Sequence, residues 1–150
     1  MDYIFNFFST TPSNISYKIN FEDVQSAIKN KNNCIINTLP IAEQDCLIKT
    51  TIDYKLEEKF INDNLNNLSY KIIVYGKNSN DENIYKKYTQ LINLGFTNVF
   101  VYTGGLFEWL TLQEIYGNEE FPSTSNELGK DILKYKANST FSNMELLTNS

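Results

Sequence analysis

The stretch from Lys71 to Trp109, KIIVYGKNSNDENIYKKYTQLINLGFTNVFVYTGGLFEW, constrains the fold of this chain more than any other. Lys71–Tyr75 is short, apolar and β-branched, the pattern of a strand covered on both faces of a parallel sheet. A helix is predicted from near Glu82, because Ile84, Tyr88, Leu91 and Ile92 recur at three- and four-residue intervals and can lay one face on that sheet. Gly95 ends it, since glycine takes the left-handed cap conformation at little steric cost. Val99–Tyr102 is the next buried strand. Strand, crossover helix and strand within about thirty residues make a right-handed parallel unit. The expected class is therefore α/β, with a mostly parallel sheet of four to five strands and helices on both faces.

The loop of Gly76, Lys77, Asn78, Ser79, Asn80 and Asp81 falls at the carboxyl end of one strand and the amino end of a helix. Open α/β sheets bind ligands there, because loop amides and the helix dipole converge and favour negative charge. These six residues are thus a candidate anion-binding loop. A plainer role stands beside it: a polar turn in which Ser79, Asn80 or Asp81 caps the helix. Both roles are compatible.

A strand ending in Tyr75, a six-residue loop, a helix, Leu94-Gly95-Phe96, Asn98-Val99 and then Gly104-Gly105-Leu106-Phe107-Glu108-Trp109 resembles a rhodanese-like (sulfurtransferase) domain. The resemblance runs from about Ile19 to Trp109 and implies a three-layer sandwich. The continuation through Leu112-Gln113, Ile115-Tyr116-Gly117 and Phe121-Pro122 is similar to a divergent branch of such proteins in protists and large DNA viruses. Active members carry a cysteine as the first loop residue, where amides and the helix end lower its pKa and stabilise a persulfide. Here the nucleophile position is Gly76, so the resemblance implies no catalytic residue at that place. The Asp-x-Arg that closes the preceding strand in the family aligns with Asn37-Thr38-Leu39. Lys77 is the loop's only cation, and Asp81 sets a carboxylate near the helix start that would repel a second anion. If the loop keeps the family's conformation, a cysteine placed at Gly76 should have a lowered pKa.

Thirteen basic and 18 acidic residues give a net charge of −5, against the basic face that a general nucleic-acid binder needs. Lys86-Lys87 is too small a cluster to reverse this and reads as a solvated helix face. The absence of histidine removes the commonest general base and metal ligand, and with it most zinc sites and Ser-His or Cys-His triads. No metal and no cofactor is expected. Cys34 opens an apolar run and reads as a small buried hydrophobe. Cys46 follows Asp45, whose charge would blunt a thiol. Both read as reduced structural thiols; a displaced catalytic role for either leaves open an atypical sulfurtransferase.

The length suits one domain, expected over residues 1–135, with residues 136–150 a mobile tail. Met1–Phe8 is apolar and aromatic, too short to span a bilayer and without the basic flank of a secretory signal. Phe5, Phe7 and Phe8 either pack across the domain or bind a partner. Ser16–Asn20 is expected as an edge strand, Phe21–Lys29 as a helix, Cys34–Asn37 and Cys46–Thr51 as strands, and Tyr54–Asn67 as a helix with Leu56, Phe60, Ile61, Leu65 and Leu68 on one side and Glu57-Glu58-Lys59 on its wet side. Leu106–Tyr116 is apolar nearly all round, so either residues 118–133 or a second chain should cover it. Ser125 or Asn126 is expected to cap a last short helix, and Met144-Glu145-Leu146-Leu147 is either a docking peptide or a loosely adhering tail. The reading favoured on these grounds is a catalytically inactive module in the cytoplasm. It would bind an unknown protein partner or itself, with no nucleic acid and no membrane, the alternative being a small-anion sensor.

Overall fold

The computed structural model describes residues 17–125, 129–142 and 144. Phe5, Phe7, Phe8, Ser16, Asn126 and Glu145–Leu147 lie outside the described residues. Four parallel strands form the sheet: β1 (Lys18–Ile19), β2 (Asn33–Asn37), β3 (Lys71–Tyr75) and β4 (Val99–Tyr102), in spatial order β1-β4-β3-β2. Asn37 stands level with Tyr75, Tyr75 with Tyr102, and Ile19 with Tyr102. All four strands thus end together, and the loops that follow them emerge along one edge.

Strand alternation sorts the side chains onto two faces. Ile35, Ile73, Tyr75 and Tyr102 face α1 (Phe21–Lys29) and α4 (Gly105–Tyr116). Cys34, Ile36, Ile72, Val74, Val99 and Val101 face α2 (Tyr54–Asp63) and α3 (Asn83–Asn93). The result is the expected three layers. Asn20 starts α1 with a reciprocal capping box to Asp23. Gly95 closes α3 at φ +106°, as its position implies.

Several expectations change at the edges. The segment Cys46–Thr51 is a turn with isolated bridges at Ile48 and Thr51, because Thr50 takes φ +69° and breaks any extended run. Helix α2 stops at Asp63: the Asn64 amide donates to the Phe60 carbonyl at 2.8 Å, and Leu65 is left exposed. Leu56 and Ile92 likewise point outward, so the buried stripes of α2 and α3 rest on Ile61 and on Ile84 and Leu91. Residues 132–135 form a 3-10 turn, α5 in chain order, which folds back on α4 together with Phe121 and buries Leu106, Trp109 and Leu110. Ile115 and Tyr116 stay exposed.

Glu57 and Lys87 were expected in solvent. Instead they pair across α2 and α3, with side chains only 16% and 23% exposed. Replacing Glu57 with Gln is expected to cost about 1 kcal/mol, above a surface pair and below a fully buried one. Its charge also helps hold the Cys34 thiol up, so the same variant should lower that pKa. Urea unfolding and thiol titration check both; an unchanged midpoint would reduce the pair to a surface contact.

Candidate functional site

Gly76 leaves the end of β3 beside Thr38, which leaves the end of β2; the Thr38 amide donates to the Tyr75 carbonyl at 3.0 Å. The loop then turns on its own side chains. Asn80 N–H donates to Asn78 Oδ1 at 2.9 Å, and Asp81 N–H donates to the Asn78 carbonyl at 3.2 Å. From the other side the first amides of α4 hold it: Leu106 N–H donates to the Gly76 carbonyl at 2.9 Å and Phe107 N–H to the Lys77 carbonyl at 3.0 Å. The positive end of α4 is therefore spent on loop carbonyls.

Gly105 permits this approach. Its φ is +71°, and an added Cβ would come within 2.9 Å of the Gly76 carbonyl oxygen and 3.0 Å of the Asn78 backbone. The pair Gly104-Gly105 carried that signal in sequence.

Asp81 decides the chemistry. Its Oδ1 accepts from Asn83 N–H at 3.0 Å, which is the helix-start role expected of it. Its Oδ2 turns inward and accepts from Lys77 N–H at 3.0 Å and from the Thr38 hydroxyl at 3.2 Å. A Cβ on Gly76 would meet the Asp81 carboxyl carbon at 2.8 Å and a methyl of Ile84 at 2.7 Å. The room into which a residue-76 side chain would project thus holds a carboxylate and a methyl group. A built-in anion already takes a loop amide and a hydroxyl.

The rest of the loop divides between wall and rim. Asn78 is buried, and its Nδ2 donates to the Tyr135 carbonyl at 2.9 Å. Lys77 pairs with Glu43 at 2.8 Å. Ser79 and Asn80 sit exposed at the rim. The structure brings Gly76, Lys77, Asn78 and Asp81 together with Thr38, Glu43 and Tyr135, three residues that sequence reasoning did not assign to the site. Periodicity carries no signal for such through-space partners. A cavity of about 320 Å³ opens between Lys77, Asn78, Asn80, Asp81 and the segment Lys136–Asn138. A wider hollow of about 700 Å³ lies on the outer face of α3, with none of the loop residues in its lining.

Both cysteines are free thiols and both are buried. Cys34 stands opposite Ile72, four residues or about 13 Å along β3 from Gly76. Burial, and next the nearby Glu57 charge, push its pKa up to about 12. Cys46 is enclosed among Leu39, Tyr75 and Tyr135 in the core under α4. Asn37, at the end of β2, is buried; its Oδ1 accepts from Leu39 N–H at 2.9 Å and its Nδ2 donates to Gln44 at 3.3 Å. Among the described residues no group of three or more His, Cys, Asp or Glu side chains gathers as a metal site would, and no helix is long and apolar enough to cross a membrane.

A family model described as the rhodanese-like domain matches residues 19–112. No curated protein matches the chain. Among solved structures, the crystal structure of the Alr3790 protein from Anabaena sp. is similar at 20% identity and a TM-score of 0.53, covering 87% of this chain and 91% of that one. The solution structure of the rhodanese-like domain of the same Anabaena protein gives 19% identity and a TM-score of 0.53, covering 83% and 93%. A full-length protein from Lactobacillus plantarum follows at 16% identity and a TM-score of 0.50, covering 65% and 83%. At these identities the likeness is one of fold.

Proposed function

The chain belongs to the rhodanese-like domain family, and from that premise we propose that it is a catalytically silent member, working in the cytoplasm as a protein-interaction or regulatory module. The observation that carries this reading is the seat at Gly76. It has no side chain, and the Asp81 carboxylate fills the space and takes the Lys77 amide that a persulfide would use. Thiosulfate-to-cyanide transfer is expected to stay at background for the wild type and for Cys34→Ser and Cys46→Ser. Turnover that Cys46→Ser abolishes would overturn the reading in favour of an atypical sulfurtransferase.

A small-anion sensor built on Gly76–Asp81 competes with this, supported by the cavity beside Lys77 and Lys136. It would have to displace a carboxylate already hydrogen-bonded there, so the silent module is the stronger reading. Sulfate, phosphate and thiosulfate at millimolar concentration should leave the melting temperature unchanged. The working unit reaches past residue 135 in this proposal, because Lys136, Ala137 and Asn138 line the same cavity as the loop. The likeness of Leu112–Pro122 to the protist and large-DNA-virus branch belongs to the same proposal.

A further inference from the structure

We propose that the groove between the Gly76–Asp81 loop, Asp45 and α4 is a docking site for a lysine-tyrosine peptide, filled here in cis by the chain's own residues 131–138. This rests on the reading of the chain as an interaction module and names the partner's chemistry.

The strap lies beyond the family-matching residues 19–112. It nevertheless carries Tyr135, which is 1% exposed and sits in the core cluster with Cys46, Tyr75 and Trp109. Tyr135 is held like a bound anchor. Its carbonyl accepts from Asn78 Nδ2 at 2.9 Å, Lys134 Nζ stands 5.1 Å over its ring, and the same ammonium lies 3.9 Å from Asp45. Ile132 adds a half-buried apolar contact.

The backbone bonds of the strap are local: Lys134 N–H to the Asp131 carbonyl and Lys136 N–H to the Leu133 carbonyl. Among the described residues no backbone-to-backbone bond ties 131–138 to the sheet or the other helices. One buried aromatic, the half-buried Ile132, one side-chain amide and one long ion pair therefore do the holding. That is how a short peptide is read, by an anchor in a pocket and a few polar contacts. A segment held in this way opens at lower free energy than the strands beneath it. A partner peptide with an apolar residue, then Leu-Lys-Tyr or its equivalent, can make the same contacts when the strap leaves.

The test uses the full chain and a fluorescent peptide of residues 129–138. Tyr135→Ala empties the anchor pocket, and this variant should bind the peptide at micromolar concentration. The wild type should bind at least about tenfold more weakly, because the cis strap occupies the groove. A peptide with alanine for its tyrosine should bind neither. Should Tyr135→Ala fail to fold, deuterium uptake of residues 131–138 in the wild-type chain decides: millimolar peptide should raise it. A folded Tyr135→Ala chain that ignores the peptide, or strap uptake that the peptide leaves unchanged, overturns the proposal. Peptide binding together with sulfur transfer would keep the groove and sink the silent module; neither binding nor transfer would do the reverse.

Discussion

Gly76→Cys is expected to cost about 4 kcal/mol or more and to give a thiol with a pKa above that of an ordinary thiol. The new Cβ meets an Ile84 methyl at 2.7 Å and the Asp81 carboxyl carbon at 2.8 Å, and overfilling a packed site costs about 1–3 kcal/mol. Moving Asp81 aside also breaks its bonds from Lys77 N–H and the Thr38 hydroxyl, where bonds to a charged group are worth about 1.5–3 kcal/mol each. A thiolate beside that carboxylate is disfavoured by like charge. This reverses the lowered pKa that the family's loop implies on sequence grounds. The double variant Gly76→Cys with Asp81→Ala removes the carboxylate, leaves only the Ile84 methyl to give way and frees the Lys77 amide, so its thiol should fall below the ordinary value. Alkylation rate against pH measures both thiols, and urea unfolding measures the cost. A lowered pKa in the single variant would mean that Asp81 leaves the seat easily and that the loop is an open cradle.

The part of the fold read most directly from sequence is the part with local causes. Ile84 and Leu91 share a helix face, Gly95 needs its positive φ, and Lys71–Tyr75 alternates against two layers; each of these is fixed within a few residues. The site was half legible for the same reason. Asp81 could be read as a helix start, because that bond reaches only to Asn83. Its inward bonds could not, since Thr38 is 43 positions away and meets it only once β2 and β3 lie side by side. Helix α4 hid its buried face because Phe107, Leu112, Ile115 and Tyr116 are as apolar as Leu106, Trp109 and Leu110. The buried set is chosen by what folds onto it: the Trp109 indole donates to the Pro122 carbonyl at 3.0 Å and Gln113 Nε2 to the Phe121 carbonyl at 2.8 Å. Tyr135 fell just inside the expected domain boundary, but it sits outside any periodic pattern, so nothing local marked it as a core residue.

Raising the pH from 8 to 11 is expected to remove roughly 5 kcal/mol of stability, a large part of what a domain of this size possesses. Burial, with a smaller push from Glu57, raises the Cys34 pKa from about 9 to about 12. Burial likewise raises Tyr75, and Tyr102 is raised by burial and by its bond to the Glu108 carboxylate. Above pH 9 the unfolded thiol loses its proton while the folded one keeps it, and above pH 10 the two tyrosines follow. The unfolded state then binds fewer protons than the native state, so stability falls as pH rises. Each group contributes about 1.4 kcal/mol per pH unit in its window: about 2.7 from Cys34 by pH 11 and about 2.7 from the two phenols together. Urea midpoints at pH 8, 9, 10 and 11 measure the fall. A Cys34→Ala chain should lose about half of it and the larger share of the part below pH 10. Stability that stays flat from pH 8 to 10, with Cys34 alkylated in the folded chain, would mean that its thiolate forms inside the fold. Cys34 would then return as a sulfur carrier, and the silence of the module would no longer follow from Gly76.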